Sequence, residues 1–218
     1  MFNIVLISTE HREFGNCNSD ELCKILESIN PDVIFEEEPN DDSYHSSYSE
    51  KDSFKSLEVQ AIIKYRQYHE VLHIPVDKEI SQYLPFSAWE YMFEKFKQND
   101  DYNQIIKEHC SLRNQKGFPY LNSEKCFELF EQMILTQENI ISTNNLDMER
   151  LGRICELFQK ELDVRENAML QNIYKFSKEN QYNQAVFFLG YAHRKSMEKK
   201  ILEHESKDDI KVNWSFYN

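Results

Sequence analysis

The spacing of apolar residues along the first forty positions predicts alternating strands and helices. The run Phe2 to Ser8 is short, aliphatic and largely β-branched, which is typical of a buried strand. The stretch NSDEL then opens a helix that Asn18 can cap, with Glu21 completing a capping box. INPD ends that helix, and Asp32 to Phe35 predicts a second strand. Together they form a βαβ unit, whose strands should be parallel with a right-handed crossover.

The pattern changes after the second strand. The segment NDDSYHSSYSEKDS is polar and predicts an exposed loop, and a helix is expected from about Phe54 to His69. EVLHIPVD predicts a third strand, with Asp77 just past its end. Residues 81–145 have helical spacing and no convincing strand, so they predict a helical insertion.

The last third of the chain returns to the strand-helix pattern. A long helix is predicted from about Asp147 to Lys178, followed by the buried strand AVFFLG and a helix beginning near Arg194. The tail DIKVNWSF alternates apolar and polar residues, as an edge strand does. The whole pattern predicts one α/β domain over residues 1–218, with a mostly parallel central sheet flanked by helices and the insertion between its two halves.

Composition narrows the classes of partner. The net charge of -13 disfavours nucleic-acid binding, which needs a basic surface. No apolar run has the length of a membrane span, and the N-terminus looks like a core strand rather than a signal peptide. Five cysteines without a C-x-x-C pair favour free thiols in a reducing cytoplasm. We therefore expect a cytoplasmic protein with no nucleic-acid or membrane partner; its oligomeric state stays open.

The same His-Arg pair follows two of the predicted strands, in VLISTEHR and in FFLGYAHR. A lone histidine after a strand is more often a loop residue or a helix cap. Functional groups nevertheless gather beyond the carboxyl ends of parallel strands, which lie about 5 Å apart. His11 and His193 could therefore share one crevice. Glu36 and Glu37 leave their strand at the same edge, on opposite faces.

An arginine interrupts the apolar stripe of the long helix. Arg165 occupies the position at which the next apolar residue is due, and a lone buried charge is costly. It must either reach the surface or hold Glu36, Glu37 or an anionic group of a substrate. The stripe itself consists of Leu151, Ile154, Phe158, Leu162, Met169, Ile173 and Phe176.

Five short motifs carry a resemblance to a known superfamily: STEH, PDVIFEEEP, IPVD, RENAM and GYAH. In order and approximate spacing they are similar to motifs of the TraB/PrgY and Tiki proteins, which are relatives of erythromycin esterases and ChaN-like proteins. Two positions depart from the family pattern. Ser8 stands where glycine is usual, and Glu166 stands where the family often has Asp or Asn, although Asn167 follows.

The resemblance implies an α/β core with a helical insertion and one site lined by His11, Arg165, His193 and a glutamate of the second strand. Motif spacing slightly favours Glu37 over Glu36 as that glutamate. Substrate contacts are expected from a further set of residues near these motifs: Arg12, Asp77, Asn167 and Arg194. The arginines hint at an anionic or carbonyl-bearing small molecule, or a peptide, as substrate.

Two histidines and a carboxylate suit two routes to hydrolysis of an ester, amide or peptide bond. In the first, His11, Glu37 and His193 hold a divalent Mn, Co or Zn ion that acidifies a bound water. In the second no metal is bound; a histidine is the general base, the glutamate orients the water and Arg165 stabilises negative charge. A ChaN-like protein that binds haem or another small ligand without catalysis is the alternative, with His11 or His193 as axial ligand.

Overall fold

The computed structural model describes residues 2–49, 55–79, 85–143, 147–205 and 210–218. The strands are β1 (Phe2–Thr9), β2 (Val33–Pro39), β3 (Leu72–Asp77), β4 (Gln184–Gly190) and β5 (Val212–Phe216). The helices are α1 (Ser19–Ile29), α2 (Asp42–Ser47), α3 (Leu57–Tyr65), α4 (Phe86–Phe96), α5 (Asp100–Lys116), α6 (Phe118–Leu121), α7 (Glu124–Thr143), α8 (Met148–Glu179) and α9 (Arg194–Glu205). A short 3-10 turn, Tyr191–His193, joins β4 to α9.

The five strands form one sheet in the order β3-β2-β4-β1-β5, and every pair is parallel. The α/β prediction is confirmed, and the tail is an edge strand as expected. Thr9 of β1 lies opposite Gly190 of β4, while β2 pairs with the other side of β4. The carboxyl ends of β1, β4 and β2 are therefore neighbours at one edge of the sheet.

Both faces of the sheet are buried, so the strands are apolar on both sides. Ile7 and Ile34 pack into a core with α1, α3, α6 and α7. Leu6 and Phe35 point the other way, into a core with α8 and α9. This alternation continues to the end of β2, where it sends Glu36 toward α3 and Glu37 toward α8.

The predicted helix signals are present at atomic level. Asn18 caps α1 by accepting a hydrogen bond from the Glu21 N–H at 3.0 Å, and Asn30 ends it in the left-handed conformation. The long helix α8 also lies where it was expected. Charged residues recur along it, and within the described ranges no helix is both long and apolar enough to cross a bilayer.

The polar segment after β2 is not wholly a loop. Part of it forms α2, and Tyr44 within α2 is buried, so the prediction of an exposed loop is wrong for Asp42–Ser47. Tyr44 is drawn inward because its hydroxyl donates to the buried carboxylate of Glu36 at 2.7 Å. The next helix begins at Leu57; Phe54, where the sequence placed its start, lies outside the described residues.

The predicted insertion is helical wherever the structure describes it, from α4 to α7. It is attached to the carboxyl end of β1 through Asn122, which is buried. The Asn122 side chain accepts a hydrogen bond from the Ser8 N–H at 2.7 Å and donates one to the Ser8 carbonyl at 3.1 Å. Because β5 pairs with β1 only as far as Leu6, this amide satisfies strand groups that the sheet leaves open.

Candidate functional site at the carboxyl edge of the sheet

Glu37 lies at the centre of a buried charge network where β1, β2 and β4 end. Its Oε1 is 2.9 Å from Arg165 Nη2 and 3.2 Å from His193 Nε2. Its Oε2 accepts a hydrogen bond from the Gly190 N–H at 2.6 Å. A Cβ at position 190 would lie 3.2 Å from that oxygen, so glycine permits the close approach of backbone and carboxylate.

Arg165 of α8 is shared between two carboxylates. In addition to Glu37 it binds Asp77, whose Oδ2 lies 2.9 Å from Arg165 Nε. The Arg165 side chain is 14% exposed, and both partner carboxylates are buried. Arg165 thus interrupts the apolar stripe of α8 because it pairs with carboxylates at the sheet edge, and it does not extend to the surface.

His193 has both ring nitrogens engaged. Nε2 faces Glu37, and Nδ1 lies 2.8 Å from Oε1 of Glu166, whose other oxygen accepts a hydrogen bond from Ser196. Burial opposes the charged imidazole, but the two carboxylates outweigh it and raise the pKa of His193 to about 9. Burial likewise opposes ionisation of Glu37, yet His193, Arg165 and His11 lower its pKa to about 2.

His11 is the accessible histidine of this edge. Its side chain is 57% exposed, and its Nδ1 lies 3.6 Å from Oε1 of Glu58 in the first turn of α3. Glu58 is the main cause that raises the pKa of His11 to about 9, and the charges of Glu37 and Glu38 add to it. Glu38, beside them, has its pKa raised to about 7, chiefly by burial. His11 is thus electrostatically coupled to Glu37 while remaining open to solvent.

Glu36 belongs to a different network on the other face of β2. Its carboxylate accepts hydrogen bonds from the hydroxyls of Tyr44 and Tyr48, and it lies 3.1 Å from Nδ1 of His73. Of the two glutamates that the sequence left open, Glu37 is the one that contacts Arg165 and His193.

The residues expected to bind substrate are distributed over several places. Asp77 is held by Arg165, and Arg12 is exposed close to His11 in sequence. Asn167 donates to the carbonyl of Asp163 on the surface of α8. Arg194 is buried away from Glu37: its Nε bonds Glu198 at 2.5 Å, and its guanidinium lies 4.4 Å from the centroid of the Phe216 ring.

Three acidic neighbours of the histidines escaped the sequence analysis as site residues. Glu166 entered it only as a departure from a motif, although its place beside Arg165 was a signal. Glu58 left no signal in the sequence, because no residue spacing connects the start of a helix with the end of a distant strand. Glu10 precedes His11 and forms an ion pair at 2.5 Å with the buried Arg113 of α5. The insertion therefore holds the loop that carries His11.

The geometry does not suit the metal ligands that the resemblance implies. Both ring nitrogens of His193 face carboxylates, and the two oxygens of Glu37 are taken by three donors. In the described parts of the chain, no group of three or more His, Cys, Asp or Glu side chains is arranged to hold a metal ion. A metal at His11, Glu37 and His193 would need His193 to lose its proton and one of its carboxylate partners.

Two surface cavities lie away from Glu37. One, of about 600 Å³, is bounded by α4 and the start of α8, with Arg150 and Arg153 in its wall. The other, of about 630 Å³, is lined by Asn122, Phe127 and Arg194. Neither of these two cavities is lined by His11 or His193, so the candidate site is described by its charges and hydrogen bonds.

Comparison of the chain with models of protein families, with curated proteins and with solved structures found no match. The resemblance to the TraB/PrgY, Tiki, erythromycin esterase and ChaN-like proteins therefore rests on the five motifs, and membership of that superfamily stays a prediction.

Proposed function

We propose that the protein is a hydrolase that activates water with His11 and stabilises negative charge with Arg165. The charges that this step needs are supplied by side chains of the protein rather than by a bound metal ion. Glu37, held by His193 and by the Gly190 N–H, fixes Arg165 at the carboxyl edge of the sheet. The reaction class is hydrolysis of an ester, amide or peptide bond.

One observation supports this proposal above the others: the two histidines differ in what they can do. His193 has a carboxylate on each ring nitrogen, so it is locked as a cation and has no free lone pair. His11 has one ring nitrogen on Glu58, and its Nε2 makes no hydrogen bond to the described residues. A general base needs a free nitrogen that reaches solvent. Because the pKa of His11 is raised to about 9, Nε2 offers that lone pair only after His11 loses its proton, so the proposed base acts at alkaline pH.

In the proposed step, His11 Nε2 removes a proton from water while the water oxygen bonds to the carbonyl carbon. The carbonyl π electrons move to its oxygen, and the Arg165 guanidinium stabilises that oxyanion. Collapse of the tetrahedral intermediate breaks the bond to the leaving alcohol or amine. His11 then returns its proton to that leaving group, which restores the site.

The substrate is proposed to be a small molecule or peptide that presents a carbonyl group. The charge of Arg165 is already balanced by Glu37 and Asp77, so this edge favours a polar carbonyl over a strongly anionic group. All five cysteines are free thiols. A cytoplasmic setting is proposed on that basis.

The test is turnover of p-nitrophenyl butyrate and leucine p-nitroanilide by the purified protein, with metal content measured on the same sample. His11→Ala should abolish turnover, and Arg165→Lys should reduce it by about 100-fold, as loss of an oxyanion donor does. His45→Ala is the matched control, because His45 is an exposed histidine of α2. Turnover that survives His11→Ala, or that vanishes on chelation and returns with a divalent metal, would contradict the proposal.

A further inference from the structure

The first turn of α3 is attached to the backbone of His11. Ser56 caps this helix by accepting a hydrogen bond from the Val59 N–H at 3.3 Å. The next residue, Leu57, donates its N–H to the His11 carbonyl at 3.1 Å. Glu58 follows directly, so the register of α3 brings its carboxylate to the imidazole of His11, at 3.6 Å from Nδ1.

Glu58 differs from the other buried carboxylates of this edge. Glu36, Glu37 and Asp77 all accept hydrogen bonds from side chains at normal distances. Glu58 is only 7% exposed, and neither of its oxygens makes a hydrogen bond of ordinary geometry with the described residues. Burial opposes its ionisation, but His11, the Thr9 hydroxyl and its own N–H lower its pKa. The positive end of α3 offsets part of the cost of burying this charge. The imidazole of His11 is the cation it faces.

The contact with Glu58 fixes the orientation of the His11 imidazole ring. Nδ1 turned toward Glu58 leaves Nε2 on the exposed side of the ring, which is the arrangement a general base requires. Other acids also surround His11, namely Glu10 in its own loop and Glu37 and Glu38 of β2. Glu58 is the one that forms an ion pair with a ring nitrogen of His11.

We propose that Glu58 is a positioning residue for His11: it holds the imidazole by Nδ1 so that Nε2 faces water and substrate. This inference rests on the proposed hydrolysis for its effect on rate. Its effect on the ring of His11 is independent of that function, and the two can be measured separately.

The first experiment compares Glu58→Gln with Glu21→Gln. Both remove an acidic charge from the first turn of a helix, but Glu21 pairs with Lys24 on the surface of α1. For p-nitrophenyl butyrate, Glu58→Gln should lower kcat by about 100-fold with little change in KM, as loss of a base's orientation does. Glu21→Gln should leave both constants unchanged. Glu58→Asp, whose shorter side chain withdraws from the ring, should not restore kcat.

The second experiment needs no substrate. The ¹⁵N signals of the imidazoles in protein with labelled histidine report which ring nitrogen carries the proton. At one fixed alkaline pH, Glu58→Gln and Glu58→Asp should change the tautomer signals of His11, while those of the exposed His45 stay unchanged. If wild type hydrolyses neither probe, the proposed function fails, but these spectra still test Glu58. Glu58 variants that lose thermal stability while the His11 signals and kcat match wild type would overturn the proposal.

Discussion

Glu36 and Glu37 are neighbours in sequence, and both carboxylates are buried, yet they serve opposite environments. Glu37 faces α8 and is surrounded by charge, with Arg165 and His193 as partners. Glu36 faces α2 and α3 and is surrounded by phenols, with His73 as a third partner. The alternation of a β-strand is enough to separate the two networks by the thickness of the sheet.

The histidines on the two sides show the difference most directly. His73 accepts a hydrogen bond on Nε2 from Arg66 at 2.8 Å, and since arginine only donates, the His73 proton must lie on Nδ1, toward Glu36. His73 is therefore neutral in this arrangement. His193 lies between two carboxylates, and its raised pKa of about 9 keeps it charged. The face of β2 toward α2 and α3 holds its carboxylate with neutral donors, and the face toward α8 holds its carboxylate with cations. The proposed hydrolysis depends on this difference.

The largest expected effect is a loss of stability when Arg165 is removed from the face of β2 that carries Glu37. Arg165→Met fits the apolar stripe of α8, but it leaves Glu37 and Asp77 buried without their shared cation. Removing one partner of a buried ion pair costs about 3–5 kcal/mol, so the free energy of unfolding should fall by that amount. Urea denaturation monitored by circular dichroism measures it. The matched control is Arg153→Met on the exposed side of the same helix, which should cost less than about 0.5 kcal/mol.

An Arg165→Met variant as stable as the wild type would mean that water or a substrate-sized opening already solvates Glu37. The charged and neutral networks would then differ less in stability than their contacts suggest. Arg165 would contribute to the candidate site but not to the stability of the fold.

The second effect is the pH dependence of stability. Folding raises the pKa of His193 from about 6.5 to about 9. The contribution of His193 to the free energy of unfolding is therefore complete below about pH 6.5 and is lost as the pH rises through 9. The shift corresponds to about 3 kcal/mol. The phenols beside Glu36 have raised pKa values and stay neutral over this range. The melting temperature, measured from pH 6 to pH 10, should therefore fall, and Glu166→Gln should make that fall shallower. If Glu166→Gln leaves the pH dependence unchanged, the fall belongs to other groups.

The third effect is kinetic. If His11 is the general base, kcat/KM must rise as His11 loses its proton. With a pKa of about 9 for His11, the rise between pH 7 and pH 9 should be roughly 50-fold. Initial rates on p-nitrophenyl butyrate across that range, corrected for the spontaneous reaction, provide the measurement. A rate that declines above pH 8 would make His11 a general acid instead.

The sequence was sufficient for the elements whose signals are local. Strand alternation predicted that Glu36 and Glu37 lie on opposite faces of the sheet, and helical spacing showed that Arg165 occupies a position in an apolar stripe. It could not say which strands are neighbours, because the order β3-β2-β4-β1-β5 depends on crossovers rather than on any short pattern. That order is what brings Glu37 next to His193, and so the choice between the two glutamates needed the fold.

Contacts between distant elements were also beyond reach. Glu58 and Arg113 contact the loop after β1, and Asn122 contacts Ser8 near the end of β1, all from positions far along the chain. The buried Tyr44 lay in a segment whose polar composition favours a loop, and its hydrogen bonds to Glu36 and His73 make burial favourable. In each case a polar group is stabilised by specific partners outside its own helix, and pairings of that kind leave no periodic trace in the sequence.

The smallest effect is expected on the neutral face. Tyr44→Phe removes one hydrogen bond from Glu36, together with the contact of the same hydroxyl with His73, but leaves the contacts of Glu36 with Tyr48 and His73. A hydrogen bond to a charged acceptor is worth about 1.5–3 kcal/mol, and since Glu36 keeps other donors the loss of stability should lie near the lower end of that range. Turnover and its pH profile should match those of the wild type, because Tyr44 contacts neither His11 nor Arg165. Urea denaturation and initial rates on the same preparation provide the measurement. A Tyr44→Phe variant that folds normally but turns over slowly would show that the two faces of β2 are coupled, and Glu36 would then belong to the site that the other face forms.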